Sequence, residues 1–336
     1  MITPAVRTSR WGVDVAARYV VHAAVAAPSL YNTQPWSFVS RTGAIDLYAD
    51  ISRALPHTDP GGREMVVSCG AALFNLRLAI RHLGFAPVVR LLPSPDRPDH
   101  LAEIQWGRYL RPTAHGELLY RAIPQRHTHH GGFAPVAASP QLIAELRAVV
   151  LSERADLYVI RDIDRLRLLA ELIADAELTQ RADFGIAAER TRWTWPPARP
   201  HHNGVPGYRG ARRPDGLMFA ARQPDAHAPI PEIPASPRET TLRALGTVAL
   251  VATPHDRRLD WLLAGQAMQR LLLYAAAHRV SAAFHTQPLE LPGARDHIQR
   301  RFTGGAHPQM LLRLGHTAHR QAVPRRPVTD SLIESL

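Results

Sequence analysis

Apolar stripes of helical period interleave along this chain with short apolar runs of strand length. From Asp14 to Ala26 the residues Val15, Ala16, Tyr19, Val20, Ala23 and Ala24 fall at helical spacing, which predicts an amphipathic helix ended by Pro28. A second stripe, Val66, Val67, Ala71, Leu73, Leu76, Leu78, Ala79 and Leu83, predicts a helix over 62–83 with Gly84 as its stop. A third runs from Asp260 to His278 through Trp261, Leu262, Ala264, Ala267, Met268, Leu271, Leu272 and Ala275. Asp162 is placed to cap a helix reaching about Arg181, in which Leu166, Leu169, Ala170, Ile173 and Ala176 form the inner face. The runs 36–40, 44–48, 88–92, 101–106, 157–160, 244–252, 282–285 and 309–314 predict strands. The pattern is that of a mixed helix-and-sheet, α+β protein.

The second and third stripes share a theme. Setting Gly70 against Gly265 places Ala72 on Ala267, Leu73 on Met268, Leu76 on Leu271 and Leu78 on Leu273, with an extended segment after each copy. This offset of 195 residues predicts two related halves.

Composition narrows the function. The 336 residues are 46% hydrophobic and 21% charged, enough to bury a substantial core. No apolar run approaches the roughly 20 residues that span a bilayer, and no basic segment with a long apolar run opens the chain, so a cytoplasmic, non-membrane protein is expected. One cysteine, Cys69, stands among Ala71, Ala72 and Leu73, where a packing role is expected. All 40 basic side chains are arginine. The absence of lysine excludes Schiff-base chemistry, pyridoxal anchoring and a standard Walker A loop, which need an amine. A net charge of +11 raises nucleic acid as a partner, but the arginines are dispersed without interleaved aromatics. Solvated surface with one or two anion sites explains them better, and no nucleic-acid partner is expected.

Three segments carry candidate chemistry. In the first, Pro28-Ser29-Leu30-Tyr31-Asn32-Thr33-Gln34-Pro35-Trp36, the Asn32 and Gln34 amides offer the donors and acceptors that the ureide edge of an isoalloxazine or a pyrimidine requires. The same residues also suit an ordinary helix-ending turn. In the second, Arg126-His127-Thr128-His129-His130-Gly131-Gly132, three histidines suggest a metal, but no cysteine or carboxylate accompanies them and no metal is expected. Phosphate suits the segment better, since Arg126 presents a fork of donors and Thr128 a hydroxyl. The third is the late pair Arg325-Arg326. Between Thr194 and Ala235 stand nine prolines, a density that precludes a long helix or central strand and reads as a lid or as disorder, with a lid preferred.

The wording of the first segment resembles the Pro-Ser-x-x-Asn-x-Gln-Pro-Trp motif of the nitroreductase family of FMN-dependent oxidoreductases. Leu55-Pro56-His57-Thr58-Asp59-Pro60, Gly62-Arg63-Glu64, Ser68-Cys69-Gly70, Arg126 to Phe133, Gly204-Val205-Pro206, Gln287-Pro288-Leu289-Glu290 and Leu312-Arg313-Leu314-Gly315 extend the likeness to its Acg-type subgroup. The resemblance implies a three-layer α/β/α fold in which two halves, 1–112 and 113–330, mimic the family homodimer within one chain. A proline-rich lid lies at about 194–235 and a tail at 331–336. It implies one FMN per chain, bound by Pro28, Ser29, Leu30, Tyr31, Asn32 and Gln34 from one side. Thr286 and Gln287 would flank the ring from the other, and Arg126, Thr128, His130, Arg325 and Arg326 would hold the phosphate.

Two departures stand out. His130 replaces a usual arginine, so FMN affinity is expected to fall from mildly acidic to alkaline pH, and His130→Arg to flatten that profile. Arg279 replaces a usual glycine before the second ring-flanking loop. No side chain is expected to act as a catalytic acid or nucleophile, because the flavin carries the chemistry from NAD(P)H to a nitro, quinone or other small-molecule acceptor. The alternative is an FMN storage or sequestration protein with little reductase activity. Fusion of two halves implies a monomer or a weak homodimer.

Overall fold

Two glycines set the distance between the central helices. In the computed structural model, which describes residues 10–195, 202–206, 218–220, 222, 230, 232–317 and 323–334, the chain order begins α1 (Arg10–Ala24), β1 (Trp36–Arg41), β2 (Ala44–Ala49), α2 (Arg63–His82), β3 (Phe85–Leu91) and β4 (His100–Tyr109). It continues with α3 (Ala114–Ala122), α4 (Pro140–Leu151), β5 (Asp156–Ile160), α5 (Ile163–Ala182), α6 (Phe184–Arg192), β6 (Thr194–Trp195) and β7 (Val205–Pro206). Last come α7 (Glu239–Leu245), β8 (Thr247–Thr253), α8 (Arg258–Ala277), β9 (Val280–Phe284), α9 (Pro292–Phe302), β10 (His307–His316) and β11 (Leu332–Glu334).

Helices α2 and α8 cross at Gly70 and Gly265. A Cβ on Gly70 would lie 2.3 Å from the Leu262 carbonyl oxygen, and one on Gly265 would lie 2.0 Å from that of Val67. The contact is reciprocal, because Val67 and Leu262 are themselves 195 positions apart. Only glycine permits this approach. Around it Leu73, Leu76, Leu271 and Leu272 join one core with Trp36, Phe38, Ile45, Leu47, Leu101 and Ile104 from the first sheet.

That sheet has the order β11-β1-β2-β4-β3 and the second β5-β8-β10-β9. Its β1-β2-β4-β3 portion and the whole second sheet are antiparallel throughout, each with its central helix between the second and third strands in chain order. The second sheet is covered on both faces. Ala249, Val251, Ala282, Met310 and Leu312 face the central helices, while Val248, Leu250 and Leu311 meet Leu166, Leu169 and Ile173 of α5 and Ile298 of α9. Among the described residues no helix is long and apolar enough to cross a membrane.

Most of the expected elements form, with shifts at their ends. Asp162 caps α5 by accepting from the Arg165 N–H at 2.9 Å. The run 244–252 divides: Ala244 and Leu245 end α7, and Gly246 turns the chain at φ 74° before β8 begins. Residues 332–334, expected as tail, are β11, pairing in parallel with β1 at Phe38 to Ser40. Cys69 is buried, its thiol donating to the Pro35 carbonyl at 3.1 Å, and burial pushes its pKa up. In the proline-rich stretch, residues 196–201, 207–217, 221, 223–229 and 231 lie outside the described residues.

Candidate functional site

The turn between α1 and β1 is held in unfavourable backbone. Tyr31, Asn32 and Gln34 have φ of 48°, 53° and 51°, a left-handed conformation that costs a non-glycine residue about 1 kcal/mol each. The side chains secure it. Ser29 Oγ accepts from the Gln34 N–H at 2.9 Å, and Gln34 Nε2 donates to the His202 carbonyl at 2.7 Å. Gln34 Oε1 accepts from the Arg326 N–H at 2.8 Å. Asn32 Nδ2 donates to the carbonyls of Gly204 and Pro324, both at 3.0 Å. Gln34 is therefore fully used within the protein, whereas Asn32 Oδ1, buried, has no hydrogen-bond partner among the described residues. Pro28 is buried and Leu30 half-buried beside this lip.

The Pro324 and Arg326 bonds draw the C-terminal segment onto the lip and bring Arg325 with it. Among the described residues Arg325 Nη1 reaches only the Val323 and Pro324 carbonyls, at 3.0 and 3.2 Å, and its Nε has no partner. Arg126 is 7% exposed and also has an unpartnered Nε; its Nη1 lies 3.5 Å from Thr128 Oγ1. Burial, and secondarily the charge of Arg325, pushes Arg126 from 12.5 down to about 9. Burial alone lowers Arg325 to about 10. Two poorly solvated guanidinium groups with no carboxylate bridge between them among the described residues repel each other, and a shared anion removes both penalties.

Thr128 bridges in parallel to Ala282 of β9, and the His129 N–H donates to the Ala282 carbonyl at 2.8 Å, so this segment lines the β9 edge. His130 keeps solvent contact, yet the surrounding protein and His129 lower its pKa from 6.5. Its charge is thus lost at more acid pH than an unperturbed histidine's. Arg326 is directed elsewhere: its guanidinium donates to the carbonyls of Gln34 and Asp330 and lies 4.0 Å from the Asp50 carboxylate. The structure therefore gathers Arg126, Thr128 and Arg325, while Arg326 splices the lip to the C-terminal segment.

Thr286 and Gln287 follow β9. Gln287 is fully buried with Oε1 unpartnered among the described residues, and Thr286 Oγ1 donates to Glu290 Oε1 at 2.9 Å. Arg222, in the proline-rich stretch, joins this turn to the lip. It donates to Tyr31 Oη at 2.9 Å and Thr286 Oγ1 at 3.2 Å, pairs with Glu290, and lies over the Tyr31 ring at 5.1 Å. Sequence reasoning missed Arg222, since one arginine among prolines carries no periodic signal. It also missed Arg313, buried without a carboxylate partner among the described residues, which donates to His285 Nε2 at 2.8 Å and to the carbonyls of Leu245 and Gly131 at 3.0 and 2.9 Å. His285 Nδ1–H in turn donates to the Ala220 carbonyl at 3.0 Å, which fixes its tautomer. Among the described residues no group of three or more His, Cys, Asp or Glu could hold a metal ion.

Comparison with known proteins decides the family. No family model matches the chain. It is 33% identical over 305 residues to the Mycobacterium tuberculosis H37Rv protein named "Putative NAD(P)H nitroreductase Rv3131", covering 89% of this chain and 84% of that one. The chain belongs to the nitroreductase family. A second M. tuberculosis H37Rv protein, "Putative NAD(P)H nitroreductase acg", is 29% identical over 320 residues, covering 92% of this chain and 93% of the other. Among solved structures, the FMN-dependent nitroreductase NfnB of Mycobacterium smegmatis in complex with NADPH covers 66% of this chain and 99% of its own, at 14% identity and a TM-score of 0.40. In this nitroreductase-family chain, the Pro28–Trp36 lip is thus bonded to the segment around Arg325 and, through Arg222, to the Thr286 turn, while Arg126 lies near enough to Arg325 to feel its charge.

Proposed function

We propose that this chain is an FMN-binding oxidoreductase that takes electrons from NAD(P)H and delivers them to a small-molecule acceptor of nitro or quinone type. The carrying observation is the pair of buried Arg126 and half-buried Arg325, which feel each other's charge with no carboxylate partner among the described residues, beside a lip whose Asn32 Oδ1 lacks a donor among those residues. A flavin phosphate supplies the missing negative charge and a flavin imide N–H the missing donor, so the residues present fit the group. In this reading Pro28, Ser29, Leu30, Tyr31, Asn32 and Gln34 form one wall and Thr286 and Gln287 the other. Arg126, Thr128, His130, Arg325 and Arg326 surround the phosphate, Arg326 through its hold on Gln34. The reciprocal contact of α2 and α8 and the shared strand order of the two sheets support two related halves, 1–112 and 113–330, around one cofactor. Flavin supplies the two-electron chemistry when bound; the chain's residues orient it and exclude water. We place the protein in the cytoplasm as a monomer or weak homodimer.

A second reading, storage or sequestration of FMN, is favoured by one observation. Gly204, His202 and Arg222, from the stretch 194–235, are bonded to Asn32, Gln34, Tyr31 and Thr286, and these contacts support a lid over the ring. The absorbance spectrum of pure protein tests both readings. One FMN per chain is expected, and a colourless protein that cannot be reconstituted overturns both. Anaerobic NADPH bleaches a reductase and leaves a sealed store yellow.

A further inference from the structure

Arg313 of β10 is 2% exposed and has no carboxylate partner among the described residues. It stands opposite Ala283 of β9, a small residue, so that His285, two positions on, lies diagonal to it on the same face of the sheet. Burial lowers the Arg313 pKa to about 10, which leaves it charged at neutral pH. A buried cation without a countercharge is costly unless its donors are used, and all three nitrogens are. Nε donates to His285 Nε2 at 2.8 Å, Nη1 to the Leu245 carbonyl at 3.0 Å and Nη2 to the Gly131 carbonyl at 2.9 Å, while the guanidinium lies 5.1 Å from the centre of the Phe133 ring.

These bonds reach both ends of the candidate site. The segment 128–134 is tied at its start, where the His129 N–H donates to the Ala282 carbonyl at 2.8 Å, and at its end, where the Phe133 and Ala134 N–H groups donate to the Ala244 and His316 carbonyls at 2.9 and 2.8 Å. Between those ties stand His130 and Gly131, and Arg313 holds the Gly131 carbonyl. His285 directly precedes Thr286. Its Nε2 accepts from Arg313 and therefore carries no proton, and its Nδ1–H reaches the Ala220 carbonyl at 3.0 Å, two residues before Arg222, which itself bonds Tyr31 and Thr286. Arg313 thus grips the neighbour of one phosphate contact and the neighbour of one ring contact. A guanidinium suits this task because its donors leave a rigid plane in several directions, whereas a lysine ammonium is a single point on a flexible stem.

We propose that Arg313 is a positioning residue that sets the span of the cofactor site, holding the phosphate segment at Gly131 and the ring wall at His285 in one fixed spacing. The inference rests on the reading above, in which His130 lies beside the phosphate and Thr286 beside the ring. A ligand that fills one end does not sense the distance between the ends. FMN does, because its ribityl chain joins ring and phosphate, and the affinity gained by linking two binding groups is lost when their sites shift apart.

The test measures three ligands on the wild-type chain, Arg313→Lys and His285→Asn. Riboflavin probes the ring end, inorganic phosphate, read as a competitor of FMN at constant ionic strength, probes the other, and FMN spans both. Arg313→Lys keeps the charge and gives up the fork of donors; His285→Asn keeps a donor for the Ala220 carbonyl and removes the acceptor of Arg313 Nε. In both variants the affinities for riboflavin and phosphate are expected to stay within about twofold of the wild type, while that for FMN falls at least about tenfold. A variant that is merely less stable loses all three ligands in the same proportion, and that result overturns the inference. Undiminished FMN binding by either variant overturns it as well. A wild-type chain that binds neither riboflavin nor FMN overturns the cofactor reading and the inference with it, an outcome distinguished from the others because it needs no variant.

Discussion

Two turns hold the same station in the molecule and have opposite electrostatics. One joins α1 to β1 and the other joins α4 to β5, each leading into a sheet with the same strand order. Both contain left-handed non-glycine residues, Tyr31, Asn32 and Gln34 in the first and Arg154, at φ 62°, in the second. At the second turn Glu153 binds Arg77 at 2.8 Å and Arg270 at 3.1 Å, beside a cavity of about 240 Å³ that Phe74, Leu78 and Pro87 also line. Both of its arginines share one internal carboxylate. At the first turn, among the described residues, Arg126 and Arg325 lack any such carboxylate and Asn32 Oδ1 lacks a donor. Arginine content does not separate a structural cluster from a ligand site; the balance of charge around the arginines does.

The largest effect expected from this contrast is on the cofactor. Replacing Arg126 and Arg325 together by alanine removes two charge-assisted contacts, each contributing about 1.5–3 kcal/mol, and should weaken FMN binding by roughly 150- to 20,000-fold in equilibrium dialysis. Either single change should raise the thermal midpoint of the FMN-free protein, because an unbalanced buried charge has been removed. A fall in both midpoints would make the two turns equivalent and end the distinction. Next in size, Gly265→Ala forces a Cβ against the Val67 carbonyl and should destabilise by roughly 3 kcal/mol in urea unfolding. The reciprocal geometry requires Gly70→Ala to cost a similar amount; a neutral Gly70→Ala breaks the equivalence of the halves. Glu153→Ala should cost roughly 2 kcal/mol, moderated by the partial exposure of Arg77 and Arg270, and leave FMN affinity unchanged. The smallest effect is a gain. Arg279 occupies φ 59°, so Arg279→Gly should stabilise by about 1 kcal/mol in calorimetry.

The last position shows what the sequence makes legible. Arg279 stood where the resembling family has glycine, and the backbone there keeps the glycine-like conformation despite the side chain. The stripes of α2, α5 and α8 were readable because burial on one face repeats every turn, and Asp162 marked the start of α5. The run 244–252 was misjudged as one strand, since an apolar stretch without charge looks continuous until Gly246 reverses it. Residues 332–334 gave no strand signal, because three residues become a strand only when β1 offers an edge. Within the candidate site, Asn32, Arg126 and Arg325 were singled out through the family resemblance, and each has a buried polar atom without a partner among the described residues. The different duties of Gln34 and Arg326, which bind each other, were not, because only the folded chain reveals which donors are already used.

Strand β11 also sets a timetable. Residues 323–334 are translated after every other part of the protein they touch, yet they carry Arg325 and fasten it beside the lip through the Pro324 and Arg326 bonds. On the reading proposed above, a ribosome-bound chain that already displays Arg126, Asn32 and the Thr286 turn would have only half of its anion clamp, so cofactor capture would wait until Arg325 has emerged.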